Sequence, residues 1–296
     1  MKILLTGTTR QVGWELQRTL MTMGEVISVG RNQIDLAQPD MFCQTIRELK
    51  PDLIVNPAAY IVVDQAESQR LIAIAINGIA PGLIAEEAKR LGAAMIHYST
   101  DYVFDGNKNT RYTENDQPNL QNIYGKTKLA GEEAIASVGV DHLIFRTSWV
   151  YGLHGKNFLL TMQRLAKERE EIRVVDDQIG APTYSRMIVE ITAQIISQAL
   201  PNASDFFATQ GRLYHLSASG KTSWYGFAKA IFAKEIFEPD LQSSQRKLQR
   251  LIAITSQEYP TAASRPGYYL LDNQKLSHNF KLVMPDSERI LELVLA

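Results

Sequence analysis

A single cysteine, Cys43, in 296 residues leaves no partner for an intramolecular disulfide and no set of thiolates for a metal cluster. Excess charge of one sign is also missing. The chain has 31 Lys+Arg against 32 Asp+Glu, a net charge of −1, and so offers no basic face of the kind that nucleic acid selects. No run of about 18 apolar residues stands out, so no membrane span is expected. The apolar stretch Ile3 to Leu5 ends at once in Thr6-Gly7, too short for the core of a signal peptide. The five histidines show no metal-ligand spacing, and no repeat, low-complexity tract or flexible linker interrupts the chain. A hydrophobic fraction of 45% over this length is enough for a full core and excludes disorder as the main state. These features predict a cytoplasmic enzyme with no nucleic-acid or membrane partner.

Strands and amphipathic stretches alternate through the first half. Lys2 to Thr6, Glu25 to Val29, Leu53 to Val55, Ala93 to Tyr98 and His142 to Arg146 read as strands. Val12 to Met23 has helical spacing, with Val12, Leu16, Leu20 and Met23 on one face. Met41 to Leu49 reads as a helix stopped by Pro51, and Asp64 to Leu91 as a helix broken near Pro81 and ended by Gly92. Ile123 to Ser137 is a further helix. This alternation predicts an α/β fold, a Rossmann-type doubly wound parallel sheet over residues 1–150. In the second half, Asn157 to Lys167, Ser185 to Leu200 and Trp224 to Phe237 read as helices. Ile172 to Val175, Leu213 to Leu216 and Gln249 to Ile254 read as short strands, and Pro201 to Gly211 as a surface loop. Residues 151–296 are expected to form mainly a smaller α/β substrate lobe, with some elements returning to the first domain and a ligand cleft between the two.

Three segments carry chemistry. Thr6-Gly7-Thr8-Thr9-Arg10-Gln11-Val12-Gly13 follows a strand and opens a helix, the setting in which backbone N–H groups hold a pyrophosphate. Its middle glycine is replaced by Arg10. At the end of the second strand, where an NAD site usually has an acidic residue, Arg31 suits a 2′-phosphate, so NADPH is expected, with NADH as the alternative. Asp35 and Leu36 follow, placed to flank the adenine. The second segment is Tyr124-Gly125-Lys126-Thr127-Lys128. Tyr124 and Lys128, four apart, project from one helix face. An ammonium beside a phenol favours the phenolate and lowers its pKa, which suits the pair to protonating a ketone oxygen as hydride arrives. The third, Ser99-Thr100-Asp101-Tyr102, lies at the C-terminal edge of a parallel strand, where a hydroxyl can reach a reacting carbonyl. His97 on that strand reads as a hydrogen-bonded core residue, and Cys43 as a small buried one. Trp149, after a strand end, can stack on a sugar or base.

In this order the motifs resemble the extended short-chain dehydrogenase/reductases, and among them the dTDP-4-dehydrorhamnose reductase family, over nearly the whole chain. The segments that carry the resemblance include Gln11 to Leu16, Val63 to Glu67, His97 to Phe104, Tyr124 to Glu132, Arg146 to Gly152 and Asp177 to Thr183. The resemblance implies NADPH-dependent reduction of the C4 ketone of dTDP-4-dehydro-L-rhamnose to dTDP-L-rhamnose. It implies Tyr124 as proton donor, Lys128 as its partner and Thr100 as the hydroxyl on the reacting oxygen. Thr100, Asp101 and Trp149 match sugar-contacting positions. Gly7, Gln11 and Val12 fall in the pyrophosphate turn, and Ala58, Ala59, Tyr60 and Tyr98 beside the cofactor.

There are departures: Arg10 at the middle glycine, Ile61 where Thr is usual, and Tyr269 where Ser is usual after Arg265-Pro266. The resemblance also brings homodimers, and Mg²⁺ held through interface carboxylates. Glu15 is the one acidic position matched, so no metal is assigned. Two alternatives fit the same motifs. One is a nucleotide-sugar epimerase or dehydratase, which returns the hydride to its substrate. The other is a non-catalytic regulatory subunit, with Arg10 marking a lost site.

Overall fold

The computed structural model describes residues 1–237 and 247–296. The strands are β1 (Lys2–Leu5), β2 (Glu25–Ser28), β3 (Leu53–Asn56), β4 (Ala94–Thr100), β5 (His142–Thr147), β6 (Val150–Tyr151), β7 (Glu171–Val175), β8 (Ile179–Gly180), β9 (Thr183–Tyr184), β10 (Leu213–His215), β11 (Thr222–Ser223) and β12 (Arg250–Ile254). The helices are α1 (Gln11–Thr19), α2 (Pro39–Leu49), α3 (Val63–Ala66), α4 (Arg70–Ala73), α5 (Ala80–Leu91), α6 (Ile123–Val138), α7 (Phe158–Glu168), α8 (Ser185–Ala199), α9 (Ala203–Gln210), α10 (Trp224–Phe237), α11 (Gln274–Phe280) and α12 (Ser287–Val294). Six strands form one all-parallel sheet in the order β10-β5-β4-β3-β1-β2. The order reverses between β1 and β3. A ligand crevice is expected there, beyond the C-terminal strand ends.

Successive side chains point to opposite faces of a strand, so each strand feeds two cores. Ile3, Leu5, Val55, Tyr98 and Phe145 face α1 and α8. Leu4, Ile54, Met95 and Ile144 face α2, α5 and α6. Covering both faces is what a parallel sheet requires. A third core, including Tyr151, Met162, Ile172, Val174, Phe227 and Ile231, joins α7, β7 and α10. Beside it, β12 pairs parallel with β7. From the second half, β10 extends the main sheet and α8 packs on its first face.

Three sequence expectations need correction. The stretch 201–211 is not a loop. Asn202 accepts the Asp205 N–H at 3.3 Å and caps α9, and Phe207 buries its ring in the first core. The Pro and Gly at its ends mark boundaries, not a loop interior. Nor does the helix before Gly92 break at Pro81. It runs from Arg70 to Leu91, with a wide π turn over Ile74–Ile79 just upstream. Pro81 has no N–H for the Asn77 carbonyl, and the wide turn absorbs that loss. That carbonyl lies against Gly131 of α6, where a Cβ would sit 2.1 Å from the oxygen. The same helix is, by length and composition, apolar enough to cross a membrane, contrary to the sequence reading. With 56% of that apolar window buried, it is a core helix lying on α6.

Candidate active site

Helix α6 is fixed at its start by its own cap and by side chains from two other segments. Asn122 is extended and accepts the Gly125 N–H at 2.8 Å, while its amide donates to the Ser264 carbonyl at 2.8 Å. Glu67 accepts the Ile123 N–H at 2.8 Å, a carboxylate at the positive end of the helix. Asp64 accepts from Ala263 N–H and from Arg265 at 2.8 Å, and so ties the 263–265 segment to the same corner. Asn77, in the π turn, bonds both backbone groups of Tyr60 and the Thr127 hydroxyl. A Cβ at Gly125 would stand 2.2 Å from the Tyr102 carbonyl oxygen, so only glycine lets α6 approach the end of β4 this closely.

That approach brings Tyr124 to Thr100. The Thr100 hydroxyl bears on the phenol, and the Tyr124 ring lies edge-on to Tyr102 with centroids 5.5 Å apart. The Thr100 hydroxyl also donates to Asp101 at 2.9 Å, and Ser148 donates to the other Asp101 oxygen at 2.6 Å. Burial raises the Asp101 carboxyl to about 7 against the pull of these two hydroxyls.

Lys128 does not lower the Tyr124 pKa as the spacing predicts. Burial pushes the phenol up, and the opposing contribution comes from the Thr100 hydroxyl. Lys128 lies one turn along, only 1% exposed. It donates to the Tyr98 carbonyl at 2.6 Å and meets His97 Nε2 at 3.1 Å. Burial draws its ammonium down to about 8, with Glu132 opposing.

Trp149 is buried and left-handed, φ +46°, a conformation that costs a bulky residue about 1–3 kcal/mol. It stacks on Trp224 with centroids 3.5 Å apart and planes 8° from parallel, and Tyr269 meets its edge at 5.8 Å. Gly180 lies flat on its other side, where a Cβ would be 2.4 Å from the indole. Trp224 also lines a cavity of about 920 Å³ between α7, β7 and the 256–265 segment, with Phe158, Gln178, Arg173 and Arg265 among its walls.

The glycine turn is built on two glycines. Gly7 has φ +63°, and a Cβ there would be 2.7 Å from the Ala58 nitrogen; at Gly13 it would be 2.2 Å from the Gly7 oxygen. Arg10 sits at the N-cap of α1 with φ −104°, ordinary for any L-residue, and its side chain is exposed. The replaced glycine was therefore not needed for backbone shape. Gln11 donates to the Val150 carbonyl at 3.3 Å, and its side-chain oxygen is buried without a partner among the described residues. Val12 packs against the first core. Arg31 is 70% exposed, 3.5 Å from Asp35, which also accepts the Ala37 N–H at 3.0 Å. Ala58 touches Gly7, and Ala59 and Tyr60 follow at the same strand end, with the Tyr60 hydroxyl donating to Gln69 at 2.9 Å.

Leu36 does not sit open beside the turn; it is buried in the second core. Tyr98 likewise turns its ring into the first core, where its hydroxyl meets Thr192 at 2.9 Å. It offers the site its carbonyl. Glu15 stands with no cluster: no group of three or more His, Cys, Asp or Glu among the described residues could hold a metal ion.

Sequence reasoning missed Ser148, Trp224 and the partners of His97. Ser148 lay inside a quoted motif beside Trp149, and Trp224 is one of only three tryptophans.

The chain matches the family described as RmlD substrate binding domain over residues 1–296. It is 45% identical to the dTDP-4-dehydrorhamnose reductase of Burkholderia thailandensis, across 97% of this chain and 95% of that protein. It is also 45% identical to the dTDP-4-dehydrorhamnose reductase of Escherichia coli K12, across 97% and 94%. The crystal structure of dTDP-4-dehydrorhamnose reductase from Bacillus anthracis in complex with NADP superposes with a TM-score of 0.88 at 35% identity, covering 99% of this chain and 98% of that one.

Proposed function

The chain belongs to the RmlD substrate-binding-domain family, and on that premise we propose that it reduces the C4 ketone of dTDP-4-dehydro-L-rhamnose to dTDP-L-rhamnose with NADPH. The observation that carries the reading is Tyr124, in the first turn of α6, brought beside Thr100 at the end of β4, one helical turn from Lys128.

The cofactor fits the residues present. Gly7 and Gly13 leave a turn that Cβ atoms would fill, α1 points its N-terminus there, and Arg31 offers an exposed guanidinium to a 2′-phosphate. When bound, NADPH supplies the hydride that reduces the ketone carbon. The chain handles the oxygen. Thr100 positions the carbonyl oxygen by turning its hydroxyl proton to it from Asp101. Tyr124 gives that oxygen its phenolic proton, and a phenol held un-ionised by burial is in the right form to do so. Asp101, held by Ser148, steadies Thr100 from behind. Trp224, with Trp149 stacked behind it, walls the cavity, where Arg173 and Arg265 suit a nucleoside diphosphate.

The test is NADPH oxidation by the purified protein with dTDP-4-dehydro-L-rhamnose. One NADPH consumed per ketone reduced is expected. Conversion sustained by trace cofactor would indicate an epimerase or dehydratase instead, and NADPH binding without turnover would remove this sugar as substrate. Arg10→Gly is expected to weaken NADPH binding by roughly 2–5-fold, a loss that shrinks at high salt, as for an exposed ion pair. Tighter binding by the variant, read by fluorescence titration, would make the side chain an obstruction.

A further inference from the structure

Lys128 ends a chain of four buried polar side chains that crosses the sheet. Thr6, directly after β1, donates its hydroxyl to Asn56 Oδ1 on β3 at 2.6 Å. The Asn56 amide nitrogen meets His97 Nδ1 on β4 at 3.2 Å, and His97 Nε2 meets Lys128 Nζ on α6 at 3.1 Å. All four are almost wholly buried: Thr6 is 3% exposed, Asn56 and His97 0%, and Lys128 1%. Water cannot repair a mismatch here, so donors and acceptors must agree along the whole chain.

With a neutral imidazole, only two arrangements agree. In the first, Asn56 donates to Nδ1, so a neutral imidazole carries its proton on Nε2 and donates it to Lys128. An amine can accept that proton; an ammonium has no lone pair and cannot. In the second, the Lys128 ammonium donates to Nε2, the imidazole proton moves to Nδ1, and the Asn56 amide turns over to accept it and donate to Thr6. The two states differ by one proton on Lys128 and by the direction of every bond in the chain. The Tyr98 carbonyl, 2.6 Å away, accepts from Lys128 in both.

We infer that His97 is a positioning residue whose tautomer follows, and thereby sets, the charge of Lys128. The inference rests on the ketoreductase reading only for its kinetic consequence. The other charged or titratable groups that face the pair are few. Glu132, on the same helix, favours the Lys128 ammonium, and its own charge is matched by Arg146 on β5. His142, on β5, acts weakly on His97. Asn56 and Thr6 carry no charge. Burial and the neighbouring Lys128 keep the His97 imidazole neutral well below its ordinary range, so it changes tautomer rather than charge.

The first test follows the imidazole nitrogens of His97 by ¹⁵N NMR from about pH 6 to about pH 11, a span that brackets free His and Lys. The peaks are assigned by their loss in His97→Gln. A neutral ring is expected throughout, protonated on Nδ1 at low pH and on Nε2 once Lys128 loses its proton. In Lys128→Met it should stay on Nε2 at every pH. One tautomer across the whole range in the unaltered protein, or a doubly protonated ring, would overturn the inference.

The second test is kinetic. Removing the acceptor of an ammonium in His97→Leu should move the basic limb of the turnover–pH profile down by about one to two units. His97→Gln, whose carbonyl can accept from Lys128, should return most of that shift. An unmoved limb in a folded His97→Leu protein would also count against it. If no variant, and not the parent, reduces the 4-ketosugar, the functional reading fails while the tautomer measurement still decides this one.

Discussion

Tyr124→Phe is expected to lower turnover by roughly 10²–10⁴-fold, the share that a positioned proton donor commonly supplies, while NADPH binding is largely kept. The reason lies in what the substitution leaves alone. Phenylalanine fills the same half-buried space and keeps the edge-on contact with Tyr102. It removes one oxygen, and with it the phenolic proton for the ketone. Steady-state NADPH oxidation and a fluorescence titration of the cofactor measure the two effects separately. Turnover within a few-fold of the parent would take Tyr124 out of the chemistry. Lost cofactor affinity with proportionate loss of turnover would make it a binding residue.

Arg146→Met is expected to cost about 3–5 kcal/mol of stability, the usual result of leaving one member of a buried ion pair alone. Arg146 and Glu132 are 3% and 5% exposed. The guanidinium donates to the carboxylate from Nε at 3.0 Å and from Nη2 at 2.6 Å, a bidentate match between β5 and α6. Methionine retains the apolar stem but abandons Glu132 inside the protein. Urea denaturation of Arg146→Met, of Glu132→Gln and of the double variant makes a cycle. The double variant should recover much of the loss, because no unpaired charge remains. A double variant as unstable as the sum of the two singles would show that the side chains do not depend on each other.

The fold was legible where one rule decided the outcome. Alternating apolar runs and amphipathic stretches predicted the five N-terminal strands and the helix of Tyr124. The failures came where two rules competed. At 201–211, Pro201, Asn202 and Gly211 outweighed the paired aromatics Phe206 and Phe207 in the reading; in the structure Asn202 is the cap and Phe207 the anchor. At Pro81 the local rule for a break was right about the missing N–H and wrong about the remedy, since a wide turn and a glycine on α6 accommodate it.

The site divides the same way. Tyr124 and Thr100 could be singled out because spacing and strand ends are properties of sequence, and the fold sets the two near each other. Lys128 was found, but its effect on Tyr124 was misjudged. A side chain's charge depends on what buries it, and nothing near Lys128 in sequence announces His97 or Asn56, thirty and more residues away. Asp64 and Glu67 were quoted as a motif without a task. The task, fixing the 263–265 segment and the first turn of α6, is visible only in three dimensions.

The stacked indoles of Trp149 and Trp224 have an optical consequence. Two such rings 3.5 Å apart and nearly parallel share their excited states, so the near-ultraviolet circular dichroism of this protein carries a coupled pair signal. The third tryptophan, Trp14, is stacked instead between His154 and the Arg18 guanidinium on α1 and contributes separately. Any molecule that enters the cavity beside Trp224 and parts the pair writes its arrival into that spectrum, with no label attached.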